Sequence, residues 1–306
     1  MQRLLASPHL VLLLAQLFWA GNAIAGRAAV GHLPPIALAF WRWALALVIL
    51  LPFALPTAIH QGAAIRRQWK FLVALAAASV ATYNTFLYLA LTTSTAVNTT
   101  LVSATIPVAI AALSWLWLGQ RLDRRQSGGL LLSLAGVVLV IARGDPAALA
   151  ALRFHQGDLW ALAAVASWAV YSVMLRRHPC SLDPATLLLM QVSLGLLWML
   201  PPYLLEWRHS GGFTLDLTTA SLITYVATFP SLLAYAFWNR GVTRLGPQIA
   251  GLYTNLIPVF TALLATLLLH EQIQWFHAAG LVLIVGGIWT VTRPPQPRQL
   301  RAGARP

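Results

Sequence analysis

Ten apolar runs follow one another along this chain, at roughly 9–29, 35–55, 70–91, 95–118, 127–142, 159–175, 185–205, 219–239, 246–269 and 277–292. A bilayer core about 30 Å thick takes about 20 such residues per helix, so each run reads as a membrane-spanning helix. The runs lack strict alternation, which argues against a transmembrane barrel, and the stretches between them are too short for a soluble domain. Composition agrees: 59% of the 306 residues are hydrophobic and 9% are charged, against about 25% charged in soluble domains. The expected fold class is an all-α polytopic membrane protein, with the lipid bilayer as its main partner.

Net charge is +13. In a soluble chain that would suggest nucleic acid. Here the basic residues lie between the apolar runs and in the tail, so no nucleic-acid partner is expected and the charge reads as topology. With the N-terminus in the cytoplasm, fifteen Lys and Arg face the cytoplasm: Arg3, Arg66, Arg67, Lys70, Arg121, Arg124, Arg125, Arg176, Arg177, Arg240, Arg244, Arg293, Arg298, Arg301 and Arg305. Four face outward, Arg27, Arg143, Arg153 and Arg208, and Arg42 lies inside a run. That bias puts both termini in the cytoplasm of a bacterial-type inner membrane. Cys180 is the single cysteine. It falls in a cytoplasmic loop, so no disulfide framework or cysteine metal cluster can form. Arg3, the first apolar run and Ala23-Ile24-Ala25 have the outline of a cleaved signal, but that run has a partner later in the chain and is expected to stay.

The partner belongs to an internal repeat, which governs how the rest is read. At an offset of 151, Pro107 meets Pro258, Leu116 meets Leu267, Leu118 meets Leu269, Gly129 meets Gly280 and Gly136 meets Gly287. Asn84 meets Tyr235 at the same offset. At 149, Trp19 meets Trp168, Asn22 meets Tyr171, Arg27 meets Arg176, Pro35 meets Pro184, Arg42 meets Gln191 and Pro52 meets Pro201. The halves are about 1–146 and 155–293, joined by an Ala-rich loop and followed by a basic cytoplasmic tail, 294–306. Five spans per half is an odd number, so the second half enters the membrane inverted. Inverted repeats place their site near the midplane, between the halves, and work by rocking one against the other.

Pro258 in a polar-then-apolar helix, then Leu267-Leu268-Leu269-His270-Glu271, then Gly280 and Gly287, resembles the EamA-type repeat of the drug/metabolite transporter superfamily. The first half agrees through Trp19, Arg42 after Phe40, Pro107, Leu118-Gly119-Gln120 and Gly129/Gly136. The resemblance covers essentially the whole chain. It implies ten helices in two inverted five-helix repeats and export of small metabolites. The aromatic-rich interior is most similar to amino-acid exporters of the YddG type. Glu271 has Gln120 as its counterpart, so the two positions do not form a carboxylate pair.

The acids are Asp123, Asp145, Asp158, Asp183, Glu206, Asp216 and Glu271, each at or beyond the end of a run. Intramembrane carboxylates are the usual proton relays, so facilitated export or exchange fits better than carboxylate-driven antiport. Arg42 lies seven residues past Pro35, roughly 10 Å in from the outer end, where burial costs at least about 2.5 kcal/mol. Two roles are open to it: an anchor for a substrate carboxylate, or a structural arginine bonded to carbonyls or snorkelling outward. Tyr83, Asn84 and Tyr88 step along span 3, and Asn98, Thr99, Thr100 and Ser103 follow on span 4. Tyr235, Trp238 and Asn239 mark span 8, and Tyr253, Thr254 and Asn255 mark span 9. Pro107 and Pro258 cannot bond the carbonyls of Ser103 and Thr254. These kinks make both levels candidate cavity linings, with helix–helix hydrogen bonding as the alternative. Trp19, Asn22, Trp168 and Tyr171 are candidate walls for an apolar or aromatic substrate. The glycine pairs keep seven-residue spacing for close packing, within the chain or between protomers. Glu271 has a loop-capping role as its simpler reading.

The leading function is therefore secondary export of small metabolites, amino acids foremost, with no cofactor and no metal. An enzyme acting on lipid or prenyl substrates would want clustered Asp, His or a nucleophile. The eight histidines are scattered, and no His-Glu-x-x-His spacing occurs. A non-transporting scaffold or receptor would show stable partner binding, and alanine at Arg42 would leave export intact.

Overall fold

The computed structural model describes residues 7–29, 31–94, 96–150, 152–153, 155–178, 180–269 and 272–292. His270, Glu271, Arg3, the tail 294–306 and the side chain of Tyr88 lie outside the described residues. Among the described residues every regular element is a helix, and ten helical spans are long and apolar enough to cross a membrane. Six are continuous: α1 (Pro8–Ala29), α2 (Pro35–His60), α5 (Arg124–Ile141), α6 (Gln156–Arg177), α7 (Pro184–Ser210) and α10 (Trp275–Thr292).

Four are interrupted. The third, α3, runs Trp69–Ala76, widens into a π-helical turn at Ala77–Thr82 and resumes as Tyr83–Thr93. The eighth, α8, does the same, with Leu217–Val226, the wide turn Ala227–Leu233 and Ala234–Leu245. The fourth, α4, runs Ala96–Ser103 and then Ile106–Leu118. The ninth, α9, runs Pro247–Tyr253, a 3-10 turn Thr254–Leu256, and Ile257–Leu269. Pro107 and Pro258 each sit at the second position of a new segment, where a missing N–H costs nothing. One sequence expectation changes here. The Thr254 carbonyl, expected to be free, accepts from the Ile257 N–H, because the tighter turn shortens the bond pattern by one residue.

Local chemistry explains the ends. Proline opens α2 and α7. A reciprocal capping box between Asp123 and Gln126 starts α5 three residues before its apolar run, and Asp216 caps α8. Gly246 joins α8 to α9 at φ +86° and ψ 159°, a conformation open in practice to glycine alone.

The main packing partners are α5 with α10, α2 with α7, α4 with α9, α3 with α6 and α7, α8 with α1 and α2, α6 with α4, and α1 with α9. Adding five to the first-half helices and subtracting five from the others returns the same set of pairs. The α5–α10 contact is antiparallel and built on glycine: a Cβ on Gly129 would meet the Gly287 carbonyl at 2.7 Å, and one on Gly136 the Gly280 carbonyl at 2.7 Å. The glycine pairs thus pack within the chain. The α2–α7 pair is antiparallel too. Glu206, near the end of α7, accepts from the Ile36 and Ala37 N–H groups at the start of α2 (3.0 and 2.6 Å), while Gln61 beyond α2 accepts from the Asp183 N–H before α7 (3.0 Å).

The tryptophans separate into two populations. Trp43, Trp168 and Trp238 are buried and Trp19 half-buried, while the other nine are exposed: Trp41, Trp69, Trp115, Trp117, Trp160, Trp198, Trp207, Trp275 and Trp289. Several of the nine lie near helix ends, as interfacial anchors do.

Candidate functional site

At the centre, helices α1, α2, α3, α6 and α8 converge with their aromatic side chains. Trp19 packs on Trp168 (ring centroids 5.1 Å), Tyr235 (6.1 Å) and Trp238 (5.5 Å). Trp168 also meets Tyr83 (4.7 Å), Tyr171 (5.0 Å), Tyr235 (5.6 Å) and Trp238 (5.4 Å). Trp43 stands edge-on to Tyr235 at 4.8 Å. Trp43, Trp168, Tyr171, Tyr235 and Trp238 are all at most 3% exposed, so the cluster is closed. The wide turns of α3 and α8 lie against it. Three of their carbonyls accept from the other half of the chain: Trp19 Nε1 donates to Pro230 (3.0 Å), Ser167 Oγ to Ala78 (2.6 Å) and Tyr235 OH to Ser79 (3.2 Å), while Thr82 and Ser231 donate to the Ala77 and Val226 carbonyls of their own helices (2.8 and 2.7 Å).

Two polar groups border the cluster, one toward each end of the bundle. Toward the start of α2, Arg42 donates from Nε to Ser231 Oγ (2.7 Å) and from Nη1 to Asn22 Oδ1 (3.1 Å), and its guanidinium lies 5.4 Å from the Trp43 ring. Arg42 is 2% exposed, and no carboxylate is among these partners. Toward the start of α7, Asn239 Nδ2 donates to Gln191 Oε1 (2.9 Å), and Tyr171 OH donates to Asn239 Oδ1. Gln191 is the repeat counterpart of Arg42, and Tyr171 that of Asn22, so the two groups hold equivalent positions at opposite ends.

Polar hydrogens are left over. The indole Nε1 atoms of Trp43, Trp168 and Trp238 and the Gln191 Nε2 are buried with no hydrogen-bond acceptor. An orphaned buried donor costs about 1–3 kcal/mol, and four around one cluster is a concentration that needs a reason.

The structure gathers Trp19, Asn22, Arg42, Tyr83, Trp168, Tyr171, Tyr235, Trp238 and Asn239 at this centre. It takes the other predicted residues elsewhere. Asn84 Nδ2 donates to the Val80 carbonyl within its own helix (2.9 Å), and Ser103 Oγ to that of Thr99 (2.8 Å). Asn98 donates to the Arg153 carbonyl (2.8 Å) and Asp158 Oδ2 (3.0 Å), in a buried network with Ser94 near the ends of α3, α4 and α6. Tyr253 OH meets His9 Nδ1 at 2.6 Å, near the start of α1. Thr254 Oγ1 donates to the Gly251 carbonyl (2.7 Å). Asn255 Nδ2 reaches Ser133 Oγ on α5 (2.9 Å), because the small serine leaves room for the amide on that face of α9. The level of Pro107 holds a void of about 10 Å³, room for about one water and too small for a metabolite.

Trp43, Gln191 and Ser231 join the centre without having been singled out. Gln191 carried a signal, as the repeat partner of Arg42. Trp43 carried only its place beside Arg42: residues two apart face opposite sides of a helix, and the sequence does not say whether Trp41 or Trp43 turns inward.

The chain matches the EamA-like transporter family over residues 6–142 and again over 155–293, and it belongs to that family. It is similar to an uncharacterized transporter of Archaeoglobus fulgidus, 29% identical over 292 residues, covering 93% of this chain and 96% of the relative. A probable amino-acid metabolite efflux pump of Salmonella typhimurium is 28% identical over 180 residues, covering 56% of this chain and 58% of the relative. A crystal structure superposes with a TM-score of 0.78 over 94% of this chain and 97% of its own, at 23% identity, a likeness of fold. The protein is thus a multi-pass membrane transporter and not an enzyme.

Proposed function

We propose that this transporter exports small metabolites, amino acids with aromatic or other apolar side chains foremost, across a bacterial-type inner membrane with both termini in the cytoplasm. Segments 1–146 and 155–293 act as inverted copies that rock about the centre and expose it to one side at a time. The observation that carries this reading is the closed aromatic cluster bordered by equivalent polar groups toward opposite ends. Such an arrangement opens by parting at one border while the other stays shut. The exchange-invariant packing and the antiparallel α5–α10 and α2–α7 pairs support the inversion. The relative named as an amino-acid metabolite efflux pump supports the cargo class. No carboxylate reaches the centre among the described residues, which favours facilitated export or exchange over a carboxylate relay.

Proteoliposomes loaded with unlabelled apolar amino acids test the reading. Radiolabelled phenylalanine, tryptophan, leucine or methionine outside should accumulate by counterflow in protein-containing vesicles and not in empty ones. The absence of counterflow across a broad amino-acid panel would overturn the cargo class.

A further inference from the structure

The hydrogen-bond inventory at the centre is one-sided. Arg42 presents a permanently charged guanidinium, held by two neutral oxygens and no carboxylate. The three orphaned indole N–H groups can only donate. They lie in one connected set with it: Arg42 stacks near Trp43, Trp43 meets Tyr235, Tyr235 meets Trp168 and Trp168 meets Trp238. The buried atoms left without partners in this set are donors, and the described carboxylates sit at helix ends. A buried cation with surplus donors and no counter-anion is half of an anion site.

We propose that the group recognised here is a single organic carboxylate, and that the cargo is an apolar monocarboxylate anion whose amino group, where it has one, is not read. This rests on the central cluster being the cargo site, as argued above. A carboxylate offers two oxygens with about four lone-pair sites, which suits the guanidinium N–H groups that Ser231 and Asn22 leave over and the orphaned indole donors of the same aromatic cluster. An ammonium finds no acid at the centre. It could use aromatic faces, but Arg42, a cation itself, already lies over Trp43, and the other rings pack against one another nearly at right angles, at 84° for Trp19–Trp168 and 89° for Trp168–Tyr235. The apolar remainder of the cargo then lies among the rings once they part. The asymmetry between Arg42 and Gln191 gives the anion a full charge at one border and a neutral amide at the other.

The test is equilibrium binding to the full chain in nanodiscs, read by tryptophan fluorescence and calorimetry, with 3-phenylpropionate, 3-phenylpropionamide, 3-phenylpropylamine and phenylalanine. The carboxylate should bind about tenfold or more tightly than its neutral amide, as charge-assisted hydrogen bonds imply. The amine should bind weakest, and phenylalanine no more tightly than 3-phenylpropionate. Arg42→Gln should reduce the carboxylate-over-amide ratio to within about twofold, and Arg42→Lys should give an intermediate ratio, since the charge survives but the planar fork of donors does not. Amide or amine binding as tight as the carboxylate would overturn the proposal. So would a preference that survives Arg42→Gln. Phenylalanine binding more than about tenfold more tightly than 3-phenylpropionate would overturn it while leaving the exporter reading standing. If none of the four binds and counterflow also fails, both fall. Should Arg42→Gln not fold, the wild-type series decides alone.

Discussion

At the scale of the residue, the orphaned indoles set function against stability. Trp43→Phe and Trp168→Phe keep a ring in place and delete the N–H. The lost packing and the deleted orphan oppose each other, each worth about 1–3 kcal/mol. Thermal stability without cargo is therefore expected to stay within about 1 kcal/mol of wild type, while carboxylate affinity falls about tenfold. Thermal shift and fluorescence titration read the two quantities. A variant that loses stability and keeps affinity would mean the N–H groups have no ligand role. Trp198→Phe, on an exposed ring, should change neither. The sequence makes most of this centre legible, Trp43, Gln191 and Ser231 apart. Trp19, Trp168 and Tyr171 stand out because the repeat pairs them at mid-span, and Arg42 because a charge inside an apolar run costs free energy. What it hides is azimuth. Trp41 and Trp43 lie in the same span, and only the packed helices decide which faces lipid and which meets Tyr235. Asn98 and Asp158 stand 60 residues apart, and nothing local shows that they meet.

At the scale of the element, α5 and α10 come into close backbone contact through Gly129, Gly136, Gly280 and Gly287. A methyl group on Gly287 would collide with the Gly129 carbonyl and with Ser133, whereas one on Gly286 finds its nearest neighbour, Leu132, at 3.6 Å, and one on Gly128 meets nothing within 4 Å. Gly287→Ala is expected to destabilise by about 1–3 kcal/mol, the usual cost of overpacking. Gly286→Ala and Gly128→Ala should be neutral or stabilising by up to about 1 kcal/mol, through helix propensity. Unfolding of the reconstituted protein would show the contrast; equal effects at Gly286 and Gly287 would place the close contact elsewhere. The ten spans were legible because hydropathy reports bilayer crossing directly. The wide turns of α3 and α8 were not expected: Ala77–Thr82 carries no proline or glycine to announce one, whereas Pro230 marks the other. They persist because Trp19, Ser167 and Tyr235, all distant in sequence, satisfy three of their carbonyls.

At the scale of the whole molecule, orientation has a built-in reporter. Cys180 is half-buried in the loop between α6 and α7, and burial pushes its thiol above the ordinary cysteine range. Less thiolate is present near neutrality, and the thiolate is the reactive form. An impermeant maleimide should therefore label Cys180 from the cytoplasmic face only, more slowly than a free thiol at pH 7, with the rate rising as pH increases. Labelling from outside would reverse the proposed topology. The positive-inside count and the repeat predict that topology from the sequence, whereas the closed state of the centre carries no such signal, because hydropathy carries no information on how rings pack once helices meet.

The most direct test of alternating exposure is a pair of distances. In a Cys180→Ser background, spin labels at Arg67 and Arg244 span the halves at one end of the bundle, and labels at Thr93 and Ser210 span them at the other; all four positions are exposed. Double electron–electron resonance with and without saturating 3-phenylpropionate or phenylalanine would follow both. The two distance distributions should shift in opposite senses, one end opening as the other closes. Distances that lengthen together, as in a channel, or that stay fixed while counterflow proceeds, would contradict transport by rocking of two inverted halves.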